Sequence, residues 1–177
     1  ATTDVHSVTE GAPSLRDRLL DPEPLAKRTV EGDLGVFRNA PQIATLLGVE
    51  TMPPAMPVNK KERRLALDYT RAAVKEAVHR HAGRLKQLYT PAGRIEVIDG
   101  RDLTAVAWVI GTGGALAKLE GSRDILAEVR RRPGESLLLP ERPKIALDRD
   151  YLMAACGVLL ERWPRAAMIL LRRSLGI

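Results

Sequence analysis

Ala105-Val-Ala-Trp-Val-Ile-Gly-Thr-Gly-Gly-Ala-Leu116 carries the clearest structural pattern in this chain. The apolar and β-branched residues up to Ile110 predict a strand, and Gly111-Thr-Gly-Gly114 predicts a tight turn before a short helix from Ala115 to Glu120. Glycine has no Cβ, so such a turn lets a ligand approach the backbone, and the N–H groups at a helix start favour anions. A nucleotide or phosphate site is one interpretation of the turn. The other is close packing of the strand on the helix.

Strands and helices alternate along the rest of the chain, which indicates a layered α/β domain. Asn59 is the predicted N-cap of the longest helix, from about Lys60 to Ala82, which carries an apolar stripe. Two short runs around Thr90-Pro-Ala-Gly93 predict a hairpin, and the glycines after Glu31 are expected to break any regular element between Ala26 and Phe37. The shorter predicted strands are Val5–Val8 and Lys144–Leu147. The shorter predicted helices are at about Leu15–Leu20, Gln42–Leu47, Arg123–Arg132, Asp150–Arg162 and Pro164–Leu175. The predicted N-caps of the second, third and fourth of these helices are Asn39, Ser122 and Asp150.

Length and composition indicate a single domain over residues 1–177 with a core of its own. No run approaches the roughly 20 apolar residues of a membrane span, and the polar N-terminal residues do not read as a secretion signal. The one cysteine, Cys156, excludes an internal disulfide and suits a reducing compartment. We therefore expect a cytoplasmic protein with no membrane partner.

The chain is basic, with a net charge of +6 and an isoelectric point near 9.8. Its lysines and arginines form short clusters at 60–64, 130–132 and 172–173, which are interpreted first as solvated helix faces or helix ends. The two Trp, three Tyr and one Phe do not interleave with these clusters, as a stacking platform for single strands would require. Nucleic acid is therefore an unexpected partner. Nucleotide phosphates or an acidic protein partner would explain the charge equally well.

Several motifs resemble a known family. Thr2-Thr3-Asp4 leads into a strand and resembles the second half of the phosphate-binding hairpin of the actin-like ATPase superfamily, which includes sugar kinases and heat-shock chaperones. Four further motifs then occur in the order seen in the C-terminal part of the glutamate mutase L family, whose short name, MutL, is shared with an unrelated DNA mismatch repair ATPase. These motifs are Arg28–Val36, Gly100–Thr104, Ile110–Leu116 and Leu147–Leu152.

This resemblance implies a fold and a function. The fold would be a ribonuclease-H-like lobe, a mixed sheet flanked by helices, with a helical insert at about 39–83. Members of the family are regarded as ATP-dependent reactivating chaperones for adenosylcobalamin-dependent mutases and aminomutases. The implied cofactors are ATP and Mg²⁺, and the implied partners are mutase subunits. A small-molecule kinase lobe and a non-enzymatic interaction fragment are the alternatives.

Two expectations follow from motifs that are missing. The upstream half of the phosphate-binding hairpin would precede Ala1, which indicates a fragment, a trimmed chain or a split gene without choosing among them. We expect ATPase activity only with the missing N-terminal lobe present. The Asp-x-His-x-x-Gly pattern that brings histidine to cobalt is absent from the sequence. We therefore expect this chain not to bind cobalamin itself.

The resemblance also assigns roles to residues. Gly111, Thr112, Gly113 and Gly114 would contact the nucleoside and the α-phosphate region of ATP. The hydroxyls of Thr2 and Thr3 could donate to phosphate oxygens, and Asp4 could hold a metal-bound water.

Three further aspartates are weighed from their surroundings in the sequence. Asp33, between two glycines, could orient water as a general base, act on Mg²⁺ indirectly, or cap its own turn, and with Asp4 it is a candidate catalytic residue. Asp148 ends a predicted strand and is a candidate nucleotide contact, whereas Asp150 is interpreted as a helix cap. His79 and His81 lie two residues apart on a helix, so they face different sides and do not form a metal-binding pair.

Overall fold

The computed structural model of the protein describes residues 2–37 and 39–177. Helices and strands alternate, which confirms the mixed α/β class. The elements are β1 (Thr3–Val8), a 3-10 turn (Pro13–Arg18), β2 (Ala26–Glu31), α1 (Pro41–Leu47), α2 (Lys60–His81), β3 (Arg84–Thr90), β4 (Gly93–Asp99), β5 (Trp108–Gly111), α3 (Gly114–Lys118), α4 (Ser122–Ala127), β6 (Lys144–Leu147), α5 (Met153–Leu160) and α6 (Pro164–Leu175).

The strands pair in three separate sheets of two strands each within the described ranges. β1 and β2 pair antiparallel, as do β3 and β4, whereas β5 and β6 pair parallel with Trp108 opposite Lys144. A parallel pair needs a long crossover, and the segment carrying α3 and α4 provides it. The single mixed sheet of a ribonuclease-H-like lobe is not formed by these pairings, so that finer expectation stays a prediction.

Helix α2 is the longest element and packs on the β1–β2 hairpin as well as on α1, α3 and α4. Asn59 caps it, because its side chain accepts the N–H of Glu62 at 2.9 Å. Tyr69, Ala73 and Ala77 on one face are fully buried in an apolar core shared with residues around Leu34 and with α1. The periodic stripe and the predicted cap are thus confirmed. Whether 39–83 is an insert stays a prediction.

Three capping predictions are wrong. Helix α5 begins at Met153 rather than near Asp150, after Tyr151 adopts a φ of +57°, a left-handed conformation that ends regular structure. Gly121, not Ser122, precedes α4, and the Ser122 hydroxyl instead donates to the carbonyl of Leu119 at 2.8 Å. Ala40 occupies the cap position of α1, while the Asn39 amide donates to the carbonyl of Gly32 at 2.9 Å.

Other boundaries also differ from the expectations. The strand of the opening stretch is confined to Trp108–Gly111, and α4 ends at Ala127, before the basic run that was assigned to it. Residues Ala26–Glu31 form a regular strand whose side chains alternate between exposed and half-buried. This strand ends at Glu31, directly before Gly32, so the glycines do end a regular element, although the strand itself was not predicted.

Two consecutive residues hold the loop that joins β1 to β2. Arg101 is only 2% exposed, and its guanidinium donates to the Ser7 hydroxyl at 3.1 Å and to the carbonyl of Leu25 at 2.6 Å. The carboxylate of Asp102 accepts the N–H of Ala12 at 2.6 Å. Both ends of the loop are therefore tied to the segment that follows β4. No helix in the described ranges has the length and apolar character needed to cross a bilayer.

Candidate functional site

One cavity joins the two segments that the sequence singled out. It has a volume of about 770 Å³ and lies between the Thr2–Val8 segment and the Trp108–Leu116 segment, more than 90 residues apart in the chain. Helix α2 contributes Thr70, Ala73, Val74 and Val78 to its wall. The volume lies in the range of small-molecule sites, roughly 300–1,000 Å³. Thr2, Thr3 and Asp4 thus share a cavity with Gly111, Thr112, Gly113 and Gly114.

The cavity is lined mostly by apolar residues. Valines and other apolar residues make up most of its wall, and Thr2, Thr3 and Asp4 are among the polar residues that line it. No lysine or arginine is among the described residues that line it. These walls fit the base and sugar of a nucleotide. Among the described residues, a phosphate chain would meet no lysine or arginine in this lining, so another group would have to balance its charge.

The three glycines of the turn differ in how far the fold itself constrains them. A Cβ on Gly111 would lie 2.5 Å from Leu126 Cδ1, so this glycine serves the packing of strand on helix. Gly113 has a φ of +100°, a conformation that other residues rarely adopt. Gly114 has no such φ and no atom within 4 Å of where its Cβ would lie. Nothing within the fold requires a glycine at Gly114, and the open space above it can receive a ligand.

The helix start adds little to this site. Helix α3 has only five residues, Gly114–Lys118. So short a helix aligns few peptide dipoles, and its field at the N-terminus is correspondingly weak. The open space at the glycines and the shape of the cavity therefore carry the case for a ligand, rather than the anion preference expected of a longer helix.

Asp148 lies beneath the turn and is fully buried. Its carboxylate accepts the Thr112 hydroxyl at 2.7 Å, the N–H groups of Leu152 and Met153 at 2.9 Å each, and the Ser174 hydroxyl. Burial by itself would raise the pKa of Asp148, but the bonds from Ser174, Met153, Thr112 and Leu152 together hold it below its usual value. Four groups of the protein itself therefore already donate hydrogen bonds to this carboxylate. Asp148 therefore positions the turn and caps α5, and it is not among the residues lining the cavity.

The N-terminal residues are partly engaged within the protein. The Thr3 hydroxyl donates to the carbonyl of Leu34 at 2.6 Å, so its proton is already used. The Asp4 carboxylate pairs with the guanidinium of Arg28 at 2.5 Å, and this bond lowers the pKa of Asp4. A metal-bound water at Asp4 would have to share the carboxylate with Arg28. Thr2 is exposed at the cavity.

Asp33, the second catalytic candidate, lies outside the cavity lining. Both of its carboxylate oxygens accept from Arg80, at 2.9 and 3.0 Å, and this pairing lowers the pKa of Asp33. Arg80 also bonds Glu31 at 2.6 Å and Glu76 at 2.9 Å. The structure thus places Asp33 in a surface ion-pair network and does not bring it together with Asp4.

Sequence reasoning missed the role of His81. This residue is 2% exposed, and its ring nitrogens bond the hydroxyls of Ser7 at 2.8 Å and Thr29 at 3.0 Å. Burial, with the positive charges of Lys27 and Arg101, lowers the pKa of His81 to about 4. His81 is therefore an uncharged link between α2 and the β1–β2 hairpin. No group of three metal-ligating side chains occurs in the described part of the chain.

Comparison with known proteins identifies the family. The family model described as MutL protein matches residues 1–175. Protein MutL of Clostridium tetanomorphum is 31% identical over 99% of this chain, which spans 43% of that relative's length. No solved structure matches the chain significantly. The resemblance carried by the ordered motifs is confirmed: the chain belongs to the MutL protein family, the glutamate mutase L family rather than the DNA mismatch repair ATPase.

Proposed function

We propose that this chain is the nucleotide-binding part of an ATP-dependent reactivating chaperone for an adenosylcobalamin-dependent mutase. One observation carries the proposal: a single cavity joins Thr2, Thr3 and Asp4 to the glycine turn, in a chain of the MutL family. The mutase subunits are the proposed protein partner. The single buried cysteine agrees with a cytoplasmic location, which is part of the same proposal.

The nucleoside end of ATP is the part that the cavity fits. Its apolar walls can receive the base, and the sugar can approach the backbone at Gly113 and Gly114, where a side chain would otherwise stand. Magnesium would supply the charge that neutralises the phosphates, held through water by Asp4. Because no lysine or arginine among the described residues lines the cavity, we expect this chain alone to bind nucleotide without hydrolysing it efficiently.

A nucleotide at the turn could act on the rest of the molecule through Asp148. The same carboxylate bonds Thr112 in the turn, the N–H of Met153 at the start of α5 and Ser174 in α6. A ligand that prefers one position of the turn therefore also biases the position of α5 and α6. Such differential binding is what a chaperone that grips and releases its client requires.

A non-enzymatic interaction fragment is the second candidate function. Helices α5 and α6 pack on each other and leave large apolar side chains in solvent: Val158 is 76% exposed, Ile169 68% and Trp163 53%. Clustered exposed apolar side chains mark contact surfaces. On this alternative, a mutase subunit would bind the α5–α6 pair whether or not ATP is present.

Titration calorimetry of the chain with ATP and Mg²⁺, and separately with adenosine, tests the proposal. Gly113→Val should abolish adenosine binding and the part of ATP binding that occurs at the turn, because it strains the turn and places a side chain where the nucleoside would lie. Gly93→Val is the matched control, since Gly93 has a φ of +120° and open space but lies in the hairpin turn between β3 and β4. No binding at millimolar ATP, together with ATP-independent binding to a mutase subunit, would favour the interaction fragment.

A further inference from the structure

A second cavity, of about 520 Å³, lies beyond the end of α4 and is dominated by arginine. Arg130, Arg131, Arg132 and Arg142 line it together with Glu141 and the Pro133-Gly134 turn. From the sequence, Arg130–Arg132 were interpreted as a solvated helix face or a helix end. Because α4 ends at Ala127, the three arginines instead follow a loop that curves around a concave surface.

Backbone contacts hold the two arginine-bearing segments together. The N–H of Arg131 donates to the carbonyl of Pro140 at 2.9 Å, which brings Arg142 beside the Arg130–Arg132 run. The turn between them is closed by the N–H of Glu135 on the carbonyl of Arg132 at 3.2 Å, and Gly134 adopts a φ of +81°. The cavity is therefore shaped by the main chain and does not depend on contacts among the arginine side chains.

The charges around this cavity are not balanced. Four guanidinium groups and the Glu141 carboxylate line the cavity, and the Glu135 carboxylate, which accepts the N–H of Arg132 at 3.2 Å, lies beside it, so an excess of two positive charges remains. Among the residues that the structure describes, no carboxylate oxygen lies within 4.0 Å of any of these four guanidinium groups. Arg80, by contrast, pairs with three carboxylates. Like charges gathered without counter-charges repel each other, and a bound anion would relieve that repulsion.

The chemistry of the cavity selects a class of anion. Guanidinium groups present forked N–H donors that match the oxygens of phosphate two at a time. An excess of two positive charges favours a ligand that carries several negative charges over a single carboxylate. A di- or triphosphate group has both the charge and the oxygens, and the cavity volume is ample for it.

We propose that the Arg130–Arg132 and Arg142 cavity is a binding site for an oligophosphate group, separate from the cavity at the glycine turn. The two cavities share a wall: Val129 and Pro140 line the first, and the next residues along the chain, Arg130 and Glu141, line the second. The oligophosphate belongs either to a free polyphosphate or to the tail of a nucleotide. Neither source depends on nucleotide binding at Gly113.

Calorimetry with inorganic tripolyphosphate, at about 150 mM salt to screen exposed charges, tests this site. The double variant R131Q/R142Q should weaken tripolyphosphate binding by about tenfold or more, since each guanidinium supplies charge-assisted bonds. R172Q/R173Q removes the same charge from the end of α6 and should bind like the unaltered chain. Circular dichroism of both variants confirms that they fold.

Equal losses in the two double variants, or no binding at millimolar tripolyphosphate, would overturn the proposal. Gly113→Val separates this site from the proposed function, because it should leave tripolyphosphate binding unchanged even if it abolishes adenosine binding. Comparing tripolyphosphate with ATP in that variant then distinguishes free polyphosphate from a nucleotide tail. If a DNA oligonucleotide binds far more tightly than tripolyphosphate and depends on the same arginines, the site is a nucleic-acid surface and the proposal fails.

Discussion

The Thr112 hydroxyl donates to Asp148 Oδ2 across 2.7 Å and so connects the glycine turn to a carboxylate that has no exposure to solvent. The turn after β5 is thereby held by β6, because Asp148 directly follows Leu147 at the end of that strand. The same carboxylate accepts the first N–H groups of α5. One buried anion thus organises the turn, the strand end and the helix start.

Asp148→Asn should lower the free energy of unfolding by roughly 3 kcal/mol, because an amide nitrogen would then face donors that now meet a carboxylate. Urea unfolding measures this change. Asp150→Asn is the matched control: its side chain is exposed, and only its backbone N–H is engaged, with Ser174. We expect that control to stay within about 0.5 kcal/mol of the unaltered protein.

The Asp148 carboxylate also makes the free energy of unfolding depend on pH in the acidic range. The pKa of Asp148 is lower in the folded protein than in the unfolded chain, where it is near 3.8. Its contribution is therefore complete above that value and is lost as the pH falls through the lower folded pKa. Asp148→Asn should remove this part of the acid dependence. Identical acid dependence in both proteins would contradict the assignment.

His81 should govern stability in a milder range of pH. Its pKa is about 4 in the folded protein and 6.5 in an unfolded chain, so the unfolded state binds the proton first. The free energy of unfolding should then fall by about 3 kcal/mol between pH 6.5 and 4. His81→Gln should flatten this dependence, whereas His79→Gln, at an exposed position of α2, should retain it. Urea unfolding at several pH values provides the measurement.

Gly114→Ala separates binding from folding at the candidate site. Its Cβ would meet no protein atom and its φ is ordinary, so the melting temperature should hold or rise slightly. Adenosine affinity should nevertheless fall by about tenfold, because the new methyl group occupies the ligand's space. Gly157→Ala, at an equally open position in α5, should stabilise the fold by about 0.5–1 kcal/mol without changing affinity. Unchanged adenosine binding in Gly114→Ala would place the nucleoside elsewhere.

The effect of Mg²⁺ on ATP affinity should differ between variants of Asp4 and variants of Asp33. Asp4 lines the cavity, so Asp4→Asn should remove the gain in ATP affinity that Mg²⁺ provides. Asp33 pairs with Arg80 outside the lining, so Asp33→Asn should leave ATP affinity unchanged with or without Mg²⁺. Calorimetry with and without Mg²⁺ measures both variants. A magnesium effect lost in Asp33→Asn and kept in Asp4→Asn would reverse the assignment.

Local sequence patterns correctly predicted the elements whose formation depends on residues close together in the chain. The apolar stripe and Asn59 predicted α2, and the Pro-Ala-Gly turn predicted the β3–β4 hairpin. Asp150 was wrongly predicted to cap the helix because a capping residue normally lies directly before the first turn. The actual acceptor, Asp148, lies farther upstream and reaches α5 only because Tyr151 turns the chain back.

The candidate site was only partly accessible to such reasoning. The glycine turn is visible as a local motif, whereas its meeting with Thr2, Thr3 and Asp4 rests on contacts across more than 90 residues. Only the family resemblance anticipated that meeting. His81 and Arg101 gave no local signal, because their burial is made possible by hydroxyls and carbonyls contributed by distant segments.

The pairing of Arg101 and Asp102 with the loop between β1 and β2 bears on the order in which the chain folds. Their hydrogen bonds join residues 94 and 90 positions apart, to Ser7 and Ala12 respectively. Contacts of such long sequence separation form late, since a large loop must close before they contribute. During synthesis the segment between β1 and β2 should therefore stay accessible to proteases and chaperones until residue 102 has left the ribosome, so this hairpin is secured only after a later part of the chain has been made.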